Sequence, residues 1–363
     1  MKTANEKLLD KLIGHEVDLQ HLSNAQVVAI IKILNSKDAE LRAALIEVID
    51  SLGSNLSAAS VDAALSTVLR LNQSTFVEIR QALDQATDNL IGYEVAFQQG
   101  ALQAVIPAVV QEAFPIAAAQ FSQVKALAQA RPFQGRLLRE WMAGIEESRA
   151  ASVRDAVRAG VVEGRTTAEI VRNIMGTRAE KYADGILQKS RREIEAVVRS
   201  AVSSTAEAAS DKAYEANSDI ISHVEWISTL DTRTSTTCRI RDRLPYTLGT
   251  YLPIGHKIPW LAGPGRIHWC CRSTKLPILK SASKLGFSDG ATRASMDGQV
   301  PQSTTYAEWL GRQSAARQDE ILGPERGKLL RQDKLKLDDF YNDKGKFLTL
   351  SELEKRLRIN VRG

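Results

Sequence analysis

Three thiols and an imidazole, Cys238, Cys270, Cys271 and His268, sit at the two ends of one segment, residues 226–276. All the cysteines of the 363-residue chain fall inside it, with His256 as a second histidine. Thiolate and imidazole are the donors zinc prefers, and a structural zinc site closes four of them around the ion. Cys238, His268, Cys270 and Cys271 supply that number. Neighbouring cysteines point their thiols apart, so His268-x-x-Cys271 is the better-spaced pair, with Cys238 as a third donor. Asp231, Asp242, His256 or Cys270 is then left for the fourth place. The same residues also read as small buried thiols beside a satisfied histidine, the usual lot of free cysteine.

Two other chemistries fit the same residue types. Cys271 or Cys238 could act as a nucleophile, with His268 as base and Asp231 orienting it, provided base and nucleophile touch. A dense set of cations, Arg233, Arg239, Arg241, Arg243, Arg266, Arg272 and Lys275, surrounds the thiols. Arg239, Arg241, Arg243, Arg266 and Arg272 are the candidate contacts to nucleic acid, holding phosphates without regard to sequence beside Trp260 and Trp269. The plainer alternative is a solvated basic rim around a small tryptophan core.

The elements that must position these groups change character at about residue 220. Before it the chain reads as helix after helix. Ser23-x-x-Gln26 has the form of a capping box and Ser36 that of a further cap, which predicts short helices ending near Gly53. A helix is expected over 58–71, then long Ala- and Gln-rich helices over 75–131, bent near Pro107 and Pro115. Their weakly charged faces suit packing between helices, including self-association. A break at Arg131-Pro132-Phe133 precedes an amphipathic helix over 137–159. Thr166-x-x-Glu169 opens a short helix that stops at Gly176. A long helix over 186–216 turns Ile194, Val197, Val198, Ala201, Val202, Thr205 and Ala209 inward and Lys189, Arg191, Arg192 and Arg199 to solvent.

Beyond 220, residues 223–227 alternate and carry β-branched and aromatic side chains, the mark of a strand. Pro245, Pro253, Pro259, Pro264 and Pro277 then exclude a long helix. Residues 280–300 read as a linker or surface loop. Helices return after capping boxes at Thr305-x-x-Glu308 and Thr349-x-x-Glu352. The fold class is therefore mainly α with a small α+β unit: a long helical N-terminal half, then a compact irregular β-containing C-terminal domain. The chain divides on this reading into 1–130, 131–221, 222–280 and 281–363.

No apolar run approaches the ~20 residues that cross a bilayer. Three clustered cysteines, an odd number, do not make a disulfide framework and fit a reducing compartment. The N-terminus mixes both charge signs without an apolar signal core, so a cytoplasmic protein is expected. A net charge of +5 is compatible with a nucleic-acid partner without requiring one. Dinucleotide-binding, Walker and H-E-x-x-H motifs do not occur.

One pattern resembles a known family. Trp226, Ser228, Asp231, Arg233, Thr234, Ser235, Cys238 and Asp242 spell W-x-S-x-x-D-x-R-T-S-x-x-C-x-x-x-D, and His268, Cys271 and Arg272 give H-x-x-C-R. The pattern is similar to that of the phage Mu F-like minor head, or head morphogenesis, proteins. T-Y-A-E-W-L-G-R-Q at 305–313 and D-E-I-L-G-P-E-R-G-K-L-L at 319–330 extend the likeness, which covers about 130–363. Ser273 stands where the family commonly has a further cysteine, and Arg243 where glycine is usual. The resemblance implies a structural protein of the tailed-phage head, present in the host cytoplasm during assembly and then in the virion. Its implied partners are the portal protein, the major capsid protein and phage DNA, with no membrane. A cysteine- or metal-dependent enzyme of the virion or host is the alternative.

Overall fold

A computed structural model describes residues 2–52, 58–106, 108–280, 292–301 and 304–357. The chain is mainly helical with a small antiparallel sheet in its C-terminal part. Two helices dominate the start, α1 (Ala4–Ser51) and α2 (Ala58–Gln103). The caps expected at Ser23 and Ser36 are not used, and α1 runs straight through both. Its buried positions explain why. Leu8, Leu19, Ile30, Leu41 and Leu52 recur every eleven residues, as do Leu12, Ser23, Leu34 and Leu45. An eleven-residue period keeps one stripe on one side of a nearly straight helix. Ser23 lies on that stripe, so tertiary packing overrides its local capping tendency. The helix expected over 58–71 continues for the same reason to Gln103. Gly53 and Pro107 lie outside the described residues.

Two short helices follow, α3 (Ala108–Ala113) and α4 (Phe121–Ala130), before the break at 131–133. Next come α5 (Leu138–Val162), α6 (Thr167–Met175) and α7 (Leu187–Ala216). The Thr166 capping box forms as expected, with the Glu169 N–H donating to Thr166 Oγ1 at 3.3 Å and the Thr166 N–H to Glu169 at 2.8 Å. All seven residues expected on the inner face of α7 are buried. Of its cationic face, Arg192 is exposed, whereas Arg191 pairs with Asp38 at 2.7 Å.

The strand expected at 223–227 is β1 (Ile221–Ile227), the centre of a three-stranded antiparallel sheet. Strand β2 (Pro245–Thr247) pairs with it on one side and β3 (Thr274–Leu279) on the other. Between β1 and β2 lies one turn of helix, α8 (Thr236–Arg239). Part of the expected 280–300 linker is instead a hairpin, β4 (Thr292–Ser295) with β5 (Gly298–Pro301); residues 281–291 lie outside the described residues. The tail forms α9 (Tyr306–Gly311), α10 (Ala315–Leu322), α11 (Pro324–Arg331) and α12 (Leu350–Leu357), with one 3-10 turn at Leu337–Phe340. Both predicted capping boxes, at Thr305 and Thr349, are made.

The compact units are not the consecutive segments that sequence composition suggests. One comprises Met1–Asp18, Gly92–Val124 and Ala206–Gly363, the other Leu19–Ile91 and Lys125–Thr205. The second unit has an aliphatic core in which Leu45 and Leu65 meet Val157, Ile170 and Ile174. In the first, Leu230 packs with the tail residues Tyr306, Trp309, Leu310, Phe340 and Leu353. Asn5 caps the far end of the sheet, accepting the Leu279 N–H at 3.2 Å. The first turns of α1 therefore belong to the same body as the cysteine segment. No helix among the described residues is long and apolar enough to cross a membrane.

Candidate metal centre

Ser235 starts the site. Its hydroxyl caps α8 by accepting the Cys238 N–H at 3.2 Å, which fixes the cysteine in the only turn of that helix. From the other end of the segment, the loop before β3 brings in His268 and Cys271. That loop makes tight turns: Gly263 has φ +88°, and a Cβ there would lie 2.5 Å from Trp260 Nε1. Cys270 has φ +53°, and this left-handed residue separates the two vicinal thiols. Cys271 is fully buried and Cys270 exposed.

Cys238, His268 and Cys271 form one cluster, with their ligand atoms all within 4.8 Å of one another. Cys238 Sγ lies 3.2 Å from His268 Nε2 and 3.8 Å from Cys271 Sγ. Zn–S bonds of about 2.3 Å at tetrahedral angles put two sulfurs ~3.8 Å apart, so the pair already has the separation of a shared metal. The supporting shell also fits. His268 Nδ1 lies 3.0 Å from the Trp269 carbonyl, which orients Nε2 toward the sulfurs in the way ligand histidines are usually held. Backbone N–H groups of Gly265 and Ser273 donate to the Cys271 sulfur. The cluster can hold a metal ion.

The electrostatics favour charge on one sulfur. The hydrogen bond from Cys271 lowers the Cys238 thiol far below its usual value against the opposing burial, and His268 adds to this. Cys271 moves the other way, because it is the partner holding the proton and is buried. Burial works against the His268 cation, yet its bond to Cys238 raises it overall. A metal would take the place of the shared protons and leave both sulfurs as thiolates.

The other candidate donors are engaged elsewhere. Cys270 is a correction to the expected ligand set, since its exposed side chain stands outside the cluster. Asp231 forms a two-pronged pair with Arg272, at 2.5 and 2.9 Å. Asp242 accepts the Ser228 N–H at 2.9 Å and the Tyr306 N–H at 3.1 Å, joining the end of β1 to the start of the tail. His256 accepts the Ile258 N–H at Nδ1 and donates from Nε2 to the Pro245 carbonyl, 2.9 Å away. The Cys-His-Asp relay of the nucleophile reading is not assembled either, because His268 Nδ1 faces a carbonyl and Asp231 faces Arg272.

Three of the five arginines expected on a DNA-facing rim, Arg239, Arg241 and Arg266, are buried instead. Arg241 is fully buried, donating to the Pro259 carbonyl at 2.9 Å and the Thr237 carbonyl at 2.6 Å. Arg239 is buried and bonds the carbonyls of Thr234 and Ile321, at 2.9 and 2.8 Å. Arg266 is buried too. Arg243 pairs with Glu225 at 2.9 Å and Arg272 with Asp231. Each is half-buried. A guanidinium can bond several carbonyls in one plane, and here that geometry fastens loops. Trp260 is spent in the same way, stacked on Tyr251 at 4.5 Å and edge-on to Trp226 at 5.1 Å.

Lys275, also counted with the basic set, is 1% exposed and holds a buried charge centre that the sequence reading missed. Its ammonium meets Glu207 at 2.5 Å, Asp211 at 2.8 Å and Ser210 at 2.6 Å. Glu207 and Asp211 stand one turn apart on the inner face of α7, and Lys275 interrupts an apolar strand. Charges on core faces were the available signal.

No family model matches the chain, and neither the curated proteins nor the solved structures give a match.

Proposed function

We propose that this chain is a structural minor head protein of a tailed bacteriophage, taken up at the portal region during procapsid assembly, with zinc in the Cys238–His268–Cys271 centre. One observation carries the reading: the motif and tail residues behind the family resemblance bind one another. Asp242 links Ser228 to Tyr306, and Arg239 links Thr234 to Ile321. Tyr306 reaches back to the Asp231 carbonyl at 3.3 Å. Catalytic motifs direct polar groups at a substrate, whereas these spend them on the frame that presents a surface. The protein accordingly acts by binding the portal or major capsid protein, without turnover.

Mass spectrometry of purified procapsids and mature heads tests the assignment. The chain is expected in both at a fixed ratio to the portal protein, and its absence from both removes the head-protein reading. Elemental analysis of protein purified without chelator tests the ion. Near one zinc per chain is expected, and none would leave the cluster as packed thiols.

A further inference from the structure

We propose that the zinc centre is a three-donor site whose fourth ligand is an exchangeable water that small anions displace. The inference rests on the zinc reading above and adds the coordination that reading leaves open. Structural zinc sites close with four protein donors, whereas sites of three protein donors keep one position for an outside ligand. Cys238, Cys271 and His268 converge here, and among the described residues no fourth His, Cys, Asp or Glu joins them. The four side chains of suitable type along the segment are each accounted for. Asp231 is held by Arg272, Asp242 by two backbone N–H groups, and His256 by Pro245 and Ile258. Cys270 is turned outward by its left-handed backbone.

The burial pattern gives the open position a direction. Both sulfurs are almost wholly buried, at 1% exposure for Cys238 and 0% for Cys271, while His268 is half-buried. The interior faces of an ion between them are closed by protein, so the remaining vertex lies on the imidazole side, where solvent reaches. The three donors are preorganised: Ser235 caps the turn carrying Cys238, two backbone N–H groups hold Cys271, and Trp269 orients His268. A site built from fixed donors can change its fourth ligand without rearranging the chain. The ligands it would take are water, azide, cyanide and small thiols.

Cobalt(II) substitution of the full-length protein reads this directly, because the ion's visible bands report coordination and its near-ultraviolet charge-transfer bands report bound thiolates. The expected spectrum is four-coordinate with two thiolates, and azide shifts the visible bands saturably. Cys270→Ser leaves both features unchanged. Cobalt bound by two thiolates but indifferent to azide overturns the exchangeable ligand and leaves the zinc reading standing. Charge transfer that falls by about a third in Cys270→Ser makes Cys270 the fourth donor and overturns the proposal. Failure of wild-type protein to bind cobalt or zinc overturns both readings. X-ray absorption of the zinc protein is a check that needs no variant: two sulfurs, one imidazole nitrogen and one oxygen are expected, and a third sulfur or second imidazole sinks the proposal.

Discussion

Each compact unit buries a charge centre, and the two centres carry opposite excess. In the unit formed by Leu19–Ile91 and Lys125–Thr205, Asp38 lies between two arginines. Its carboxylate bonds the buried Arg149 and also Arg191 at 2.7 Å, while Arg149 makes further bonds to Asn72 and Ser190, both at 3.0 Å. In the other unit the acids outnumber the bases. Lys275 faces Glu207 and Asp211, and His15 meets Glu94 at 2.6 Å beneath a stacked Phe97. Glu16 stands near Glu207, Glu94 and Lys275. A guanidinium fork can fill its remaining donors with neutral amides and hydroxyls. A surplus of buried carboxylates has no such outlet and must either recruit a cation or keep a proton.

The comparison predicts unequal costs for removing a cation. Lys275→Met leaves Glu207 and Asp211 buried with no cation of their own, and should cost about 3–5 kcal/mol in denaturant unfolding. Arg149→Met leaves Arg191 still on Asp38 and should cost only about 2–3 kcal/mol. Amide exchange adds the location. The first loss should appear in Ala206–Gly363 and the second in Leu19–Ile91. Equal costs, or losses spread evenly over the chain, would break the distinction between the two centres.

How far the sequence anticipates these features depends on whether they are local. The capping boxes at Thr166, Thr305 and Thr349 are satisfied within four residues, and all three form. The pairing of Cys238 with His268 and Cys271 follows from residue chemistry, because few other side chains in the segment bind metal. Ser23 misleads because its neighbours resemble a helix start, while an eleven-residue buried stripe decides the matter across the whole of α1. The arginines mislead for a related reason. Charge looks like surface until the carbonyls that receive it are known, and Arg239 finds its acceptor at Ile321, far along the chain. The discontinuous units lie beyond any local reading, since residues 1–18 join residues 206–363 only through tertiary packing.

The metal centre sharpens the comparison, because it lies in the acid-rich unit alone. Cys238→Ser removes one of three converging donors and a buried sulfur, and should destabilise that unit by about 2 kcal/mol. Cys270→Ser, on an exposed side chain of the same loop, should change stability by less than ~0.5 kcal/mol. Thermal melts with exchange mass spectrometry distinguish the two. A Cys270→Ser loss as large as that of Cys238→Ser would mean that the outward thiol has a part in the cluster after all.

The one expected gain in stability is the most diagnostic of the charge excess. Burial, and then the neighbouring Glu207 and Glu94, push Glu16 from an ordinary 4.5 up to about 8. The groups acting on it are Glu94 on α2, Glu207 and Tyr214 on α7, and Thr274 and Lys275 on β3. A raised value means that the folded protein holds the proton more tightly than the unfolded chain does. The stabilisation is therefore whole below about pH 4.5 and is lost as pH rises through about 8. Glu16→Gln fixes the neutral form. The variant should match wild type near pH 4.5 and exceed it by about 1–2 kcal/mol at pH 9, a figure discounted for the partial exposure of the side chain. The gain should appear as slower exchange in the first turns of α1 and in Ala206–Gly363. Stability curves for the two proteins that run parallel from pH 5 to 9 would show that the carboxylate surplus is already neutralised by Lys275, and the contrast between the two centres would then be one of composition alone.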